Sequence, residues 1–240
     1  MRGARSLVIA VAAVTFLSVS APSARAADGS WEFHLAPYLW GAGLDGTVGV
    51  AGQTADVDLS FSDLVEFADI GGSLHFEAWA RPWGWFGDAM YVKLEDETTG
   101  PAGGTIRAEM EQTFAEAGGT YEFADKVEVL FGLRYQKADN DIAFPSPVGA
   151  VSAGRGWVDA FGGVRWTPIR TERWLFSVRG DIGAGESDLV WLAAVGGGFR
   201  FNKTVALLAG YRHLDTDFED DGFTWDVAQG GFGLGVDFAW

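Results

Sequence analysis

The strongest constraint on this chain lies in residues 230–240, where large apolar side chains alternate strictly with small or polar ones. The apolar set occupies every second position: Phe232, Leu234, Val236, Phe238 and Trp240. Successive side chains of a β-strand point to opposite faces, so the pattern predicts a strand with one continuously apolar face. A half-buried strand of a soluble sandwich and a lipid-facing strand of a barrel would both show it, and the rest of the chain has to decide between them.

The opposite end of the chain predicts export. Arg2 and Arg5 precede an apolar run over Leu7–Val19, and Ala24–Ala26 has the small-x-small pattern of a cleavage site. Such a run is shorter than a membrane-spanning helix needs and is typical of a secretory signal peptide. We therefore expect residues 1–26 to be removed as a signal peptide and residues 27–240 to form one folded unit.

Between these ends the chain predicts about ten strands, most of them long enough to cross a bilayer when tilted. Their predicted bounds are Trp31–Gly43, Gly71–Arg81, Trp85–Glu97, Thr105–Phe123, Val127–Ala138, Arg155–Thr167, Trp174–Gly185, Leu189–Phe201, Thr204–Asp215 and Phe223–Trp240. Eight or twelve strands remain alternatives. The facing of the third strand is open, because Asp88 shares a face with Phe86 and Met90.

The connections alternate between long and tight, which is the pattern of barrels with short periplasmic turns and longer outer loops. The connection after the eighth strand, at Asn202-Lys203, is tight, whereas the one after the ninth, Thr216–Gly222, is long and acidic. The longest, Leu44–Ile70, predicts a short hairpin followed by a helix that begins near Ser62. This segment belongs either outside the bilayer or in the mouth of the lumen.

Composition narrows the function. The formal net charge of −16 argues against nucleic-acid binding, which requires a basic surface. The absence of Cys excludes disulfides and thiolate metal sites. The acidic residues between Asp215 and Asp221 do not have the spacing of an EF-hand loop, so neither a metal site nor a cofactor is predicted.

Four segments resemble a known class of proteins: Ala36–Trp40, Thr54–Phe61, Phe86–Val92 and Gly210–Asp215. They resemble small bacterial outer-membrane β-barrel proteins of the OmpA/OmpW-like class. The resemblance implies an all-β fold, a closed antiparallel up-and-down transmembrane barrel in the outer membrane. It also implies contact with outer-membrane lipid and lipopolysaccharide. The barrel-assembly machinery would recognise the closing strand, with Phe232, Leu234, Val236, Phe238 and Trp240 as the assembly signal.

Alternation within such a barrel places a set of charged and polar side chains in the lumen. These are Glu32, His34, His75, Glu77, Glu116, Glu128, Arg134, Asp159, Arg165, Arg179, Asp181 and Arg212. Buried charges are tolerated when they are paired, and both signs are present here. The set is interpreted as a plug of paired charges, with a polar conduction path as the alternative.

Three functional hypotheses follow. The first is a structural or narrow-pore, small-molecule transport role in the outer membrane. The second is an outer-leaflet enzyme, a protease or lipid hydrolase, that uses His213 and Asp215 at the barrel rim as the omptin proteases use Asp and His. The third is a passage or binding site for a small, apolar ligand. A His close to carboxylates is more often structural than catalytic, so a non-enzymatic role is favoured.

Overall fold

The computed structural model describes residues 31–50, 52–62, 68–99, 105–143 and 150–240. The predicted signal peptide lies outside these ranges. Almost all described residues are in β-strands, and ten of the eleven strands form a closed antiparallel ring. The predicted all-β barrel of about ten strands is therefore confirmed.

The strands follow one another around the ring in chain order. Their bounds are β1 Glu32–Val50, β2 Gln53–Leu59, β3 Ala68–Ala80, β4 Trp83–Thr99, β5 Thr105–Ala124, β6 Val127–Ala143, β7 Ala150–Arg170, β8 Trp174–Gly185, β9 Leu189–Arg200, β10 Val205–Asp220 and β11 Phe223–Ala239. The ring closes where β11 pairs with β1, from His34 opposite Ala239 to Gly49 opposite Thr224. Closure removes the two open edges that a flat sheet of this size would expose.

Several strands are longer than predicted, and the extra length lies at the loop end. β1 continues to Val50, β7 begins at Ala150, and β10 runs to Asp220. The tight turns lie at the opposite end, together with both termini of the ring. We call these two ends the loop end and the turn end.

The connection predicted over Leu44–Ile70 is mostly β-structure. Leu44–Val50 is the last part of β1, and β2 pairs back onto it as a hairpin outside the ring. Residues 61 and 62 are helical, residues 63–67 of the predicted helix lie outside the described residues, and its end at Ala68 is already strand β3. The predicted hairpin is therefore present, displaced toward β1, and it extends the barrel wall at the loop end.

Large apolar side chains cover the outer surface of the turn-side half in a continuous belt. Its exposed members on eight strands include Leu39, Leu74, Trp85, Phe131, Leu133, Val164, Trp166, Trp174, Ile182, Leu207, Phe232 and Leu234. Charged residues take over on the same face closer to the loop end, such as Lys93 on β4, Lys137 on β6 and Asp215 on β10. The outer surface of the barrel thus changes from apolar to charged partway along the strands.

One hairpin is shorter than its neighbours. β8 and β9 stop at Gly185 and Leu189, whereas the flanking strands β7 and β10 continue toward the loop end. The end of this hairpin is tied to both flanking strands: the Ser187 amide donates to Asp159 Oδ1 at 2.9 Å, and the Asp188 amide donates to the Asp217 carbonyl at 2.9 Å. Beyond the hairpin, β7 and β10 flank the gap that the two shorter strands leave in the wall.

Candidate functional site

The loop end of the lumen is filled by apolar side chains, which we call the apolar cap. Its buried members are Leu44, Ala138, Trp157, Phe218, Phe223, Trp225 and Val227. Trp157 of β7 stacks on Phe218 of β10 with ring centroids 4.4 Å apart and planes 10° from parallel. This contact is possible because β8 and β9 end below it and let β7 and β10 approach each other. These side chains form a buried apolar core at the loop end of the lumen.

The extended β1–β2 hairpin contributes to the same core. Leu44 and Val48 of β1 and Val57 and Leu59 of β2 pack on or within the cap. The sequence leaves two places open for this segment, outside the bilayer or in the lumen mouth. In the structure the segment extends the barrel wall, and its apolar side chains line the lumen mouth. A second apolar cluster in the lumen consists of Met90, Phe114, Val190, Leu192 and Leu214. It lies next to two hydrogen-bonded pairs of polar side chains, one between a glutamine and a threonine and one between two glutamines.

Four charged residues in the middle of the lumen form what we call the central charge cluster: Glu116, Arg134, Arg179 and Asp181. Arg134 Nη2 donates to Glu116 Oε2 and to Asp181 Oδ1, each at 2.8 Å. Arg179 donates to the same two carboxylates, at 2.7 Å each. Two guanidinium groups and two carboxylates thus alternate in a closed set, and Arg134 also lies over the Phe161 ring at 4.7 Å.

A lower charge cluster, nearer the turn end, consists of Glu77, Glu128, Arg165 and Arg170. Arg165 donates to Glu128 Oε2 at 2.8 Å and to Glu77, and Arg170 donates to Glu128 Oε1 at 3.0 Å. Glu128 comes from β6 and both arginines from β7, so cross-strand neighbours carry most of the pairing. The members of the two clusters come from β3 and from β5 to β8, so charge pairs fill this side of the lumen.

Each of two histidines lies between two carboxylates. His34 Nδ1 is 2.9 Å from Asp237 Oδ2 and its Nε2 is 3.3 Å from Glu32 Oε1. His75 Nδ1 is 2.9 Å from Asp88 Oδ2 and its Nε2 is 3.1 Å from Glu77 Oε1. Both rings face the lumen on the neighbouring strands β1 and β3. The open question of how β4 faces is also answered: Phe86, Asp88 and Met90 all point inward and are buried.

The remaining lumen, along β8–β11 and β1, is hollow because small residues point inward there. A lower chamber of about 670 Å³ is lined by residues of the turn end, among them Glu32, Arg81, Arg170 and Arg200, and is open at that end. An upper chamber of about 280 Å³ shares His75, Arg165, Leu175, Ser177 and Leu208 with the lower one. Its boundary also includes the outward-facing Val195, Tyr211 and Leu234, because the glycine wall between the chamber and the outer surface is thin. The lower chamber therefore reaches the turn end, and the upper chamber continues from it toward Trp40 and Arg212.

Arg212 lies at the inner end of the upper chamber. Its Nη1 donates to the Tyr38 hydroxyl at 3.2 Å, and its guanidinium carbon is 3.8 Å from the centre of the Trp40 ring. Asp88 is 3.6 Å away, but its oxygens are already engaged by Tyr38 at 2.6 Å and His75 at 2.9 Å. Arg212 Nε is buried and has no hydrogen-bond partner among the described residues.

The structure places the predicted lumen residues on inward-facing positions but does not gather them into one network. Asp159 is fully buried and accepts from a backbone amide rather than from an arginine. The apolar cap was not predicted. Its signal is present in the sequence, because Phe223, Trp225 and Val227 lie on the opposite face of β11 from Phe232 and Leu234.

The candidate catalytic pair lies on the outside of the wall. His213 and Asp215 belong to the outward face of β10, with His213 Nε2 4.0 Å from Asp215 Oδ2 and its ring 4.8 Å from that of Trp191. Burial, together with the nearby carboxylates of Asp226 and Asp188, raises the pKa of Asp217 on this rim. The arrangement is an acidic outer rim in which the imidazole packs against an indole.

Within the described ranges, no three or more His, Cys, Asp or Glu side chains are grouped so as to hold a metal ion. Among the same residues, no helix has the length and apolar character needed to cross a membrane. The chemistry available in the lumen is therefore that of paired ions, buried aromatic rings and three arginines, Arg134, Arg165 and Arg212, that each keep one buried nitrogen without a partner among the described residues.

No protein-family model matches the chain, and no curated protein matches it in sequence. Among solved structures it is similar to Ail, the attachment invasion locus protein of Yersinia pestis, at 13% identity and a TM-score of 0.43, over 88% of this chain and 98% of that one. It is also similar to the translocator domain of the autotransporter NalP from Neisseria meningitidis (11%, 0.40, 88% of each chain) and to Neisserial surface protein A (12%, 0.35, 87% and 98%).

Proposed function

We propose that this chain is an integral outer-membrane protein whose barrel is a compartment sealed at the outer end and open toward the periplasm. The observation that carries the proposal is the reversal of polarity along the strands. In the turn-side half the outer surface is apolar and the lumen is charged. In the loop-side half the lumen is apolar and the outer surface is charged.

The apolar belt supports the membrane placement. At about 3.4 Å per residue and a tilt of about 40°, the stretch from Phe232 to Trp240 is roughly 21 Å tall, close to the apolar band of about 25 Å in outer-membrane barrels. Trp83, Phe123, Trp166, Trp174, Phe201 and Trp240 are exposed near the turn end. Aromatic girdles of this kind mark the interface between acyl chains and headgroups.

The loop-side half supports the sealed state. Its core side chains are excluded from water as in a soluble protein, and Trp157 and Trp225 have almost no exposed surface. Its outer face carries ion pairs typical of an aqueous surface, such as Lys93 Nζ with Glu109 Oε1 at 2.6 Å. The hydrogen bond with Glu109 raises the pKa of Lys93 above its ordinary value. We place this half above the bilayer, where it caps the lumen.

The orientation predicts which residues outside reagents can reach. The chain has no Cys, so single cysteines can be introduced without background. Gln53→Cys in the β1–β2 hairpin should react with a membrane-impermeant maleimide on intact cells. Lys203→Cys in the turn between β9 and β10 should react only after the outer membrane is permeabilised. Labelling of Lys203→Cys alone in intact cells would show that the barrel is inserted in the opposite direction.

The sealed end predicts no ion conduction. The purified barrel should give no discrete current steps in planar bilayers at any salt concentration, because the apolar cap does not depend on screened charges. Arg179→Ala, which removes one ion from the central charge cluster, should remain silent for the same reason. The double variant Phe218→Ala/Trp225→Ala should conduct, since it removes the rings that close the loop end.

The unmodified protein, Arg179→Ala and the double variant together distinguish closure by paired charges from closure by the apolar cap. If paired charges alone closed the lumen, Arg179→Ala would conduct and the cap variant would not. Each variant has to be shown to be folded by its shift on unheated gels before its current is recorded. Conduction by the unmodified protein would overturn the sealed compartment while leaving its membrane placement intact.

A further inference from the structure

We infer that the upper chamber is a binding site for a small organic anion, a monocarboxylate with an apolar body that enters from the turn end. The direction of entry rests on the orientation proposed above, whereas the site itself rests on the geometry of the chamber. Small-molecule sites are concave, mostly apolar and supplied with a few convergent polar groups. The upper chamber has these features and a volume of about 280 Å³.

Arg212 specifies the charge of the ligand. A guanidinium carries five N–H donors in a planar fork that suits a carboxylate. One Nη1 bond to Tyr38, an Nη2 contact of 3.8 Å to the Met90 sulfur and the 3.6 Å approach to Asp88 use only part of that capacity. The Arg212 side chain is about 15% exposed and lines the chamber, so the remaining N–H groups of its Nη1 and Nη2 can meet an acceptor that enters there.

The walls specify the rest of the ligand. Leu175 and Leu208 line the chamber, and small residues occupy facing positions on three adjacent strands, where Gly210 lies between Gly196 and Gly233. This row of glycines removes side-chain volume and leaves backbone and apolar carbon as the contact surface. On this glycine side the chamber disfavours a strongly hydrated ion such as phosphate, because no side-chain donor there replaces its water. A carboxylate with an apolar body satisfies both the arginine and the walls.

Arg212 differs from the other arginines of the chamber in that its described hydrogen bonds go to Tyr38 and Met90 and not to a carboxylate. Arg165 and Arg179 also line the chamber, but both donate to carboxylates of the two charge clusters. Asp88 shares its charge with His75 and Tyr38. A ligand with one negative charge therefore has one partner at the inner end, whereas a dianion would bring an uncompensated charge into an apolar space.

The test uses benzoate as the anion and benzyl alcohol as its neutral counterpart, titrated by calorimetry into the full-length barrel in detergent. Benzoate should bind saturably with one site per chain, and benzyl alcohol should bind at least tenfold more weakly. Arg212→Gln should weaken benzoate binding by roughly tenfold to a hundredfold, the effect of losing hydrogen bonds to a charged group. Absence of saturable benzoate binding by the unmodified barrel would overturn the inference, as would equal binding by Arg212→Gln.

Two glycine variants test the position of the site even if Arg212→Gln does not fold. A side chain at Gly196 meets its first neighbour at 3.6 Å and points into the chamber, so Gly196→Leu should fill the chamber and abolish binding. A side chain at Gly180 faces outward and meets no atom within 4 Å, so Gly180→Leu should bind benzoate normally. Undiminished binding by Gly196→Leu would place the ligand elsewhere. These results are independent of the current recordings, in which conduction would overturn only the sealed compartment.

Discussion

Arg134→Leu is expected to lower the free energy of unfolding of the barrel by about 3–5 kcal/mol, the usual result of leaving buried charge unpaired. Arg134 is fully buried and holds Glu116 and Asp181 at 2.8 Å each. Without it, two carboxylates share the single guanidinium of Arg179 in a space that water cannot fill. Urea titration of the detergent-folded protein, followed by tryptophan fluorescence, measures the change.

Two further variants identify the cause. Lys203→Leu changes an exposed turn residue of the same charge and should alter stability by no more than about 0.5 kcal/mol. Adding Glu116→Gln to Arg134→Leu removes one of the stranded charges and should restore part of the lost stability. If the single and double variants unfold alike, packing around Arg134 rather than charge pairing holds the centre of the lumen.

Leu234→Arg is expected to reduce the yield of folded barrel in the outer membrane severely. Leu234 is 58% exposed on the apolar belt, and its side chain has to meet lipid. An arginine on the lipid face costs about 2–4 kcal/mol at the bilayer centre and less toward its edges. The expected loss is measured as the fraction of heat-modifiable protein recovered from outer-membrane fractions.

The adjacent residue supplies the matched control. Gly233 faces the upper chamber, and a side chain built there first meets the Leu39 carbonyl at 3.5 Å. Gly233→Arg adds the same charge one position away, in a space that already contains polar groups, so its folded yield should stay well above that of Leu234→Arg. Equal losses in both variants would contradict the assignment of Leu234 to lipid and Gly233 to the lumen.

Much of the fold was predictable because strand alternation is a local property. The faces of β7 follow from sequence: Val158, Val164 and Trp166 point outward, whereas Trp157 and Arg165 point inward. Cross-strand partners such as Glu116 and Arg134 on β5 and β6 also follow, since antiparallel neighbours in a meander are consecutive in the chain. The pairing of β11 with β1 could also be expected, because an antiparallel ring closes with an even number of strands and leaves no edge strand unpaired.

What could not be predicted depends on distances across the lumen and on the surroundings of each strand. Arg134 reaches Asp181 on β8 because the barrel has a particular width, which no local pattern specifies. In β11 the apolar residues shift from Phe223, Trp225 and Val227 to the opposite face at Phe232. Such a shift usually indicates a bulge or a slipped register. Here the pairing of β11 with β10 runs without interruption. What changes along β11 is the environment of its two faces: the lumen is apolar near the loop end, and the outer surface is apolar near the turn end.

The short β8–β9 hairpin imposes an order on the folding of the chain. Trp157 and Phe218 lie on strands that are separated in sequence by the whole hairpin, and their stacking joins two distant parts of the ring. Contacts of such long sequence separation carry a loop-closure entropy cost, because the intervening chain loses its freedom when they form. The cap cannot be complete until β10 and β11 have joined the ring, since Phe218, Phe223, Trp225 and Val227 belong to these two strands.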